Sequence, residues 1–169
     1  MSYIKNIIYF LVIFLGYNLN ANDSNELVFH NSPKKIENIF LKNINGDKIE
    51  LQKLSKNILI VNFWATWCAP CVKEMPDLLK LESKLGEKFK VIFISLDSDP
   101  LVSIPKFIKR NKLKGFSSFV DTDFSLSNKL SVKKMPTTLI INERSEEVAR
   151  LSGYTNWLSK VMISKLENL

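Results

Sequence analysis

Two cysteines, Cys68 and Cys71, are the residues of this chain best suited to chemistry, and they are its only cysteines. The apolar run Ile-Leu-Ile-Val-Asn-Phe at 58–63 precedes them, and a pattern typical of a helix follows. A Cys-x-x-Cys where a buried strand passes into a helix is typical of a thiol–disulfide redox site. Unpaired N–H groups and the helix dipole favour a thiolate at the helix start, so we expect Cys68 to be the attacking nucleophile. Cys71, one turn further in, is expected to be more buried and to resolve the mixed disulfide.

Other uses of the cysteine pair fit the sequence less well. A structural zinc site needs four ligands, and the single histidine, His30, has no ligand partner near it in the sequence. A disulfide that closes so short a loop restricts the unfolded chain little, which argues against a purely structural bridge. A Cu(I) site with two thiolate ligands stays an open alternative, as does a module that only docks other proteins. A thiol peroxidase is disfavoured because the motif Pro-x-x-x-Thr-x-x-Cys is absent.

The residues around the cysteines resemble the thioredoxin superfamily. Residues 63–71 read Phe-Trp-Ala-Thr-Trp-Cys-Ala-Pro-Cys, and Glu-Met-Pro at 74–76 narrows the resemblance to the exported TlpA/ResA/CcmG-like branch. The segment 42–51 is similar to the N-terminal hairpin of that branch, and 132–141 is similar to its strand entry with Pro-Thr-Thr. The resemblance covers 33–169. It implies an α/β fold, a thioredoxin-like three-layer sandwich with a central mixed β-sheet and an added N-terminal β-hairpin.

The same resemblance implies a substrate-contact surface around Pro136. In the family this proline follows a cis peptide bond opposite the disulfide, and the residue before it, here Met135, presents a backbone edge to a substrate strand. Proline offers no metal-binding side chain, so we expect no metal and no cofactor beyond the Cys68–Cys71 dithiol or disulfide. Trp67 is expected to shield the first cysteine and to offer a flat contact surface.

Glu74 is the third residue to which the resemblance assigns a catalytic role. It lies three residues after Cys71 and therefore on the same helix face. In the resembled branch a glutamate here tunes the thiol pKa, passes protons or contacts substrate. A partly buried carboxyl would have a raised pKa suited to acid–base work, whereas the alternative is an ordinary solvated glutamate. Asn62 replaces the buried aspartate of ordinary thioredoxin, so the proton relay of that aspartate is not available at residue 62.

The N-terminal 21 residues have the pattern of a targeting segment. Lys5 supplies positive charge, and the apolar run at 7–17 is short for a membrane span, which needs about 20 apolar residues. We expect 1–21 to be a signal peptide or an N-terminal membrane anchor, 22–32 a polar linker, and 33–169 the thioredoxin-like domain. Either fate of the leader predicts a periplasmic or other extracytoplasmic domain.

Composition and charge agree with one globular domain. Hydrophobic residues make up 46% and charged residues 24% of the chain, which is ordinary for a soluble core with a charged surface. The formal net charge is +7, but lysines are spread along the chain without an arginine-rich block or a basic–aromatic alternation. We therefore expect no nucleic-acid partner, and we expect exposed loop lysines such as Lys133 and Lys134 to be solvated.

Apolar runs and turn residues predict the secondary structure. The pair Asn45–Gly46 predicts a hairpin turn, and the continuous apolar run at 91–96 predicts a strand buried on both faces. The other predicted elements are strands at 58–63, 118–121, 137–141 and 147–152, and helices at 70–85, 104–111, 124–130 and from an Asn156 cap to 166. Strands that alternate with helices favour an α/β sandwich.

These features together predict an exported thiol–disulfide oxidoreductase that works as a reductant of protein disulfides. The resemblance implies clients such as apocytochrome c or copper-centre assembly factors of respiratory oxidases. A reductant in an oxidising compartment must be recharged, so a membrane thiol electron donor is implied. A disulfide oxidase or isomerase of the same fold is the main alternative, because redox potential separates these activities and the sequence does not determine it.

Overall fold

The computed structural model describes residues 25–54 and 57–169. The predicted signal peptide or anchor at 1–21 lies outside the described residues. Within the described ranges, no helix has the length and apolar character needed to cross a membrane.

Eight strands, four α-helices and one 3-10 turn make up the described part of the chain. The strands are β1 (Val28–Lys35), β2 (Phe40–Asn43), β3 (Lys48–Glu50), β4 (Ile58–Trp64), β5 (Phe89–Ser95), β6 (Phe119–Val120), β7 (Thr137–Ile141) and β8 (Glu146–Ser152). The helices are α1 (Ala69–Leu85), α2 (Pro100–Asn111), α3 (Ser125–Lys129) and α4 (Lys160–Glu167), and the 3-10 turn is Leu51–Leu54.

The strands form one mixed sheet in the order β1-β8-β7-β4-β5-β6-β2-β3. Strand β4 lies near the middle, parallel to β5 and antiparallel to β7. All seven β4 residues are buried, as expected for a strand that is covered on both faces. The mixed sheet between helical layers confirms the predicted sandwich.

Alternation along the central strands divides the core between the two faces of the sheet. On one face, Ile60 and Trp64 of β4 belong to a cluster with buried residues of α1 and α4 and with Phe107 of α2. On the other face, Val61 and Phe63 pack with α3 and with residues around β2. The buried positions of helix α1 are 71, 74, 75, 78 and 81. Their i, i+3, i+4 spacing places Cys71 and Glu74 on the buried face of the helix.

The predicted hairpin turn is confirmed between β2 and β3. These strands pair antiparallel, with Leu41 opposite Ile49. The Asn43 side-chain oxygen accepts hydrogen bonds from the backbone N–H groups of Asn45 and Asp47, both at 2.9 Å. Gly46 adopts a φ of 94°, a conformation that favours glycine.

The polar linker predicted at 22–32 is wrong from Val28 onward. Strand β1 occupies Val28–Lys35 and pairs antiparallel with β8 at the edge of the sheet. Most residues of β1 are exposed. A strand with no buried face needs no alternation of apolar and polar residues, so the sequence does not indicate it. His30 is therefore part of the sheet, and its Nε2 lies 2.8 Å from Oε1 of Glu147.

Two helix starts also differ from the predictions. Helix α2 begins at Pro100 rather than at 104, because a proline at the first helical position loses no intrahelical hydrogen bond. The last helix begins at Lys160, and its cap is Ser159, whose side chain accepts a hydrogen bond from the N–H of Met162. Asn156, predicted as that cap, instead accepts from the N–H of Leu158 in the preceding turn.

Candidate active site

The disulfide between Cys68 and Cys71 lies where β4 passes into α1. Cys68 is the N-cap residue of the helix, in an extended conformation, and its carbonyl accepts from the N–H of Val72. Both cysteines are buried, but 6% of Cys68 remains exposed, whereas Cys71 has no exposed surface. The two cysteines thus differ in access in the order predicted for a nucleophile and a resolving residue.

Glu74, one helical turn after Cys71, is completely buried, which excludes the solvated alternative. Its Oε1 accepts a hydrogen bond from Nδ2 of Asn62 on β4 at 2.8 Å, and its Oε2 accepts from Nε1 of Trp157 at 3.2 Å. The backbone N–H of Thr155 also acts on this carboxyl and favours its ionised form. An acid residue in this position is therefore surrounded by apolar core and held by hydrogen-bond donors.

Burial raises the pKa of Glu74 from its ordinary value of 4.5 to about 7, because the core penalises the ionised carboxylate. The hydrogen bonds from Asn62, Trp157 and Thr155 oppose this rise, and the nearby charge of Asp77 adds to it. A carboxyl with a pKa of about 7 can both take up and release a proton near neutral pH.

The loop before β7 lies beside the same end of β4. The Met135–Pro136 peptide bond is cis, as the resemblance implied. Thr137, which follows, pairs with Phe63 of β4, so Pro136 adjoins the strand end that leads into the disulfide loop. The Pro136 carbonyl accepts from the N–H of Gly153 at 2.7 Å.

Comparison with known proteins agrees with this geometry. A family model described as AhpC/TSA family matches residues 33–148, more than half of the chain.

The chain belongs to the AhpC/TSA family of thioredoxin-like proteins.

Curated relatives narrow the placement within the AhpC/TSA family. The chain is 27% identical over 155 residues to "Thiol-disulfide oxidoreductase ResA" of Halalkalibacterium halodurans, covering 92% of this chain and 86% of that protein. It is 35% identical over 121 residues to the protein of the same name in Bacillus cereus, covering 71% and 69%. The enzyme class predicted from the cysteine pair, thiol–disulfide oxidoreductase, is confirmed.

Solved structures share the fold of this AhpC/TSA protein. A DsbF homologue from Corynebacterium diphtheriae superposes with a TM-score of 0.71 at 23% identity, covering 85% of this chain and 92% of that one. StoA from Bacillus subtilis superposes with a TM-score of 0.60 at 25% identity, covering 77% and 93%. These likenesses support the thioredoxin-like architecture around the disulfide.

The two tryptophans near the disulfide of this AhpC/TSA protein have different environments. Trp67 is 68% exposed beside Cys68, so it forms surface rather than core. Trp64 is fully buried, and its Nε1 donates to the hydroxyl of Ser118 at 3.0 Å. The residues Lys133 and Lys134 are exposed, in agreement with their expected solvation.

Several residues that shape the site carry no signal in the sequence. Asp97, buried after β5, accepts hydrogen bonds from the backbone N–H of Thr66 at 3.0 Å and from its hydroxyl at 2.7 Å. It thereby holds the loop that carries Trp67 and Cys68. Trp157, which contacts Glu74, is 83 positions away in sequence. Such contacts depend on tertiary packing, so no local spacing could have indicated them.

Proposed function

We propose that this protein is an extracytoplasmic reductant of protein disulfides, with Cys68 as attacking thiolate and Cys71 as resolving thiol. The observation that carries the proposal is the unequal placement of the two sulfurs. Cys68, at the N-terminus of α1, keeps 6% of its surface exposed, whereas Cys71, one turn further in, is fully buried. A partner disulfide can approach the first sulfur, but the second is reached only from within the protein.

The reaction divides into two exchanges. In the first, the Cys68 thiolate attacks one sulfur of a client disulfide, that S–S bond breaks, and the departing client thiolate takes up a proton. In the second, Cys71 loses its proton and attacks the sulfur of Cys68, which releases the client as a dithiol and leaves the protein oxidised. Two electrons pass from the protein to the client, and a membrane thiol donor restores the dithiol.

Glu74 is the proposed proton acceptor for the buried thiol. It lies on the same face of α1 as Cys71, one turn away, and its carboxyl is enclosed by the core. A carboxyl whose pKa is about 7 is ionised in a large fraction of molecules at neutral pH and can accept the Cys71 proton. The negative charge then passes from the carboxylate to the Cys71 sulfur, which attacks Cys68 as a thiolate.

The client is proposed to contact Trp67, Met135 and Pro136. Trp67 offers an exposed aromatic face next to the reactive sulfur. The side chain of Met135 is partly buried against both core clusters, and its backbone is proposed to pair with an extended client segment. Contacts through backbone and an aromatic face suit clients of varied sequence.

The location and the clients of the protein are proposed from the resemblance and the leader pattern. Residues 1–21 would export the domain as a signal peptide or tether it to the inner membrane. Apocytochrome c, with its pair of haem-binding cysteines, and copper-centre assembly factors are the proposed clients. No cofactor is proposed beyond the dithiol itself.

The first test is the reduction potential of the Cys68–Cys71 pair, measured against glutathione buffers. A reductant should have a potential near or below that of thioredoxin, about −270 mV. A value near about −120 mV, typical of a strong disulfide donor, would refute the reductase assignment and favour an oxidase.

A second test traps the mixed disulfide. The variant Cys71→Ser should accumulate covalent complexes with client proteins, because the second exchange is blocked. The matched variant Cys68→Ser keeps only the buried thiol and should trap none. Equal trapping by the two variants would show that the assigned roles are wrong.

A further inference from the structure

All the partners that the structure gives the Glu74 carboxyl, among the described residues, are hydrogen-bond donors. They are Nδ2 of Asn62 and Nε1 of Trp157, and the backbone N–H of Thr155 also favours the ionised carboxyl. Such a setting suits a carboxylate, which only accepts. A protonated Glu74 carries one O–H group, and a buried O–H requires an acceptor that this arrangement does not supply.

Asn62 is the one partner that can become an acceptor. An indole N–H and a backbone N–H can only donate, whereas a side-chain amide carries both a donor and an acceptor end. At present Nδ2 donates to Oε1 of Glu74 at 2.8 Å and to Oγ1 of Thr138 at 2.9 Å. The other end, Oδ1, is buried and has no hydrogen-bond partner among the described residues.

Thr138 accommodates either orientation of this amide. Its hydroxyl can accept from Nδ2, as it does here, or rotate to donate to an oxygen in the same place. It is the residue directly opposite Asn62 in the pairing of β4 with β7, and it lies two positions after Pro136. Hydrogen bonds therefore connect Glu74 through Asn62 to Thr138 on β7, the strand that follows Pro136.

We propose that Asn62 is a positioning residue whose amide inverts when Glu74 gains or loses its proton, with the Thr138 hydroxyl reversing its direction in concert. In the ionised state Nδ2 faces the carboxylate. In the protonated state Oδ1 accepts from the Glu74 O–H and from the Thr138 O–H. The proposal rests on the acid–base role proposed for Glu74, and it assigns residue 62 a role that uses both the donor and the acceptor end of an amide.

Two charged groups of α1 are relevant to Glu74 among the residues that the structure describes. Asp77, on the same helix, acts on it through its charge. Lys73, also on α1, lies with Nζ 4.4 Å from the ring centroid of Tyr154. From β4, β7 and the segment after β8 the direct partners are neutral. The thiol of Cys71 titrates only after reduction, so the oxidised protein isolates the titration of Glu74.

The test follows Asn62 and Glu74 together by NMR in the oxidised protein. The ¹⁵N and ¹H signals of the Asn62 side-chain amide and the ¹³C signal of the Glu74 carboxyl are recorded across the neutral pH range. Inversion predicts that both titrate with the same midpoint. In Glu74→Gln the new amide can donate to Oδ1 of Asn62 at every pH. The Asn62 signals of this variant should therefore not change with pH and should resemble those of the unaltered protein at low pH. Asn62 signals that do not move while Glu74 titrates would overturn the proposal.

Matched threonine variants separate this contact from general packing. Thr138→Val removes the hydroxyl that serves both orientations and should move the Glu74 midpoint measurably. Thr137→Val alters the neighbouring buried threonine, whose hydroxyl instead donates to the Lys134 carbonyl at 2.8 Å, and should leave the midpoint unchanged. Equal shifts of the Glu74 midpoint in the two variants would contradict the proposed role of the Thr138 hydroxyl. Should either variant fail to fold, the titrations of the unaltered protein and of Glu74→Gln still decide.

The outcomes also distinguish this inference from the proposed function. If Asn62 and Glu74 titrate together but Cys68 exchanges no thiols, the inversion of the Asn62 amide is supported and the reductase assignment is refuted. If thiol exchange is normal but the Asn62 amide signals do not change with pH, the reductase assignment is supported and the inversion is refuted.

Discussion

The buried carboxyl of Glu74 should make the stability of the oxidised protein depend on pH in a way that Glu74→Gln removes. Its pKa is about 7 in the folded protein, against an ordinary value of 4.5. Between these two values the folded state binds more protons than the unfolded chain, so the free energy of unfolding falls as pH rises. Below 4.5 the group is protonated in both states and imposes no penalty, and above about 7 the penalty is complete.

The size of this penalty follows from the interval between the two pKa values. At 1.36 kcal/mol per pKa unit, the shift corresponds to about 3 kcal/mol as an order of magnitude. With urea slopes of about 1–3 kcal/mol/M, such a penalty should move the denaturation midpoint by about 1–3 M. Glutamine at this position is neutral at every pH, and Asn62 can turn its oxygen toward it, so the variant should lack this slope.

The assay is urea denaturation of the oxidised protein and of Glu74→Gln at several pH values from 4 to 8.5. The quantity to examine is the difference between the two free energies of unfolding, because other titrations are common to both proteins. One of these groups is Glu147, whose pKa is lowered in the folded protein. Its ionised carboxylate stabilises the fold at pH values above its ordinary pKa, and this stabilisation is lost as the pH falls through the lowered pKa. The difference should favour the variant by about 3 kcal/mol more at pH 8 than at pH 4.5. A difference that stays constant with pH would refute the reasoning.

Two further predictions concern residues with opposite environments. Arg150 donates to both carboxylate oxygens of Glu147 and to two backbone carbonyls of the segment before Pro136, so Arg150→Ala should lower the free energy of unfolding by about 3 kcal/mol. The exposed Arg144 is the control, and a similar loss in Arg144→Ala, measured by denaturation, would contradict this assignment. Trp67→Ala should change stability by less than about 0.5 kcal/mol and slow thiol exchange with protein clients, because this side chain is 68% exposed. A loss of several kcal/mol would instead place Trp67 in the core.

The site elements that depend on neighbouring residues could be predicted from the sequence. The strand before the cysteines, the helix that Cys68 caps, and the common face of Cys71 and Glu74 all follow from patterns within about twenty residues. The same is true of the turn at Asn45–Gly46, where backbone conformation is determined by the turn residues themselves. Local backbone preferences and residue spacing carry this information.

The predictions that failed required contacts between distant segments. The first part of strand β1 has the sequence pattern of a linker, because its residues are polar and mostly exposed. It forms a strand through backbone pairing with β8, which the sequence does not indicate. His30 has no ligand partner near it in the sequence, but folding places its Nε2 2.8 Å from Oε1 of Glu147. An edge strand is stabilised by backbone hydrogen bonds to its neighbour, and those leave little trace in side-chain pattern.

The residue pattern is sufficient to predict a redox pair of cysteines at the junction of a buried strand and a helix, with an acid residue one turn later. What that acid can do depends on how the chain folds around it. Burial between α1 and the sheet raises the pKa of Glu74 to about 7, and donors from Asn62 and Trp157 surround it. Desolvation and hydrogen bonding depend on every group within a few ångströms, and folding brings these groups together from positions 62 to 157 of the chain.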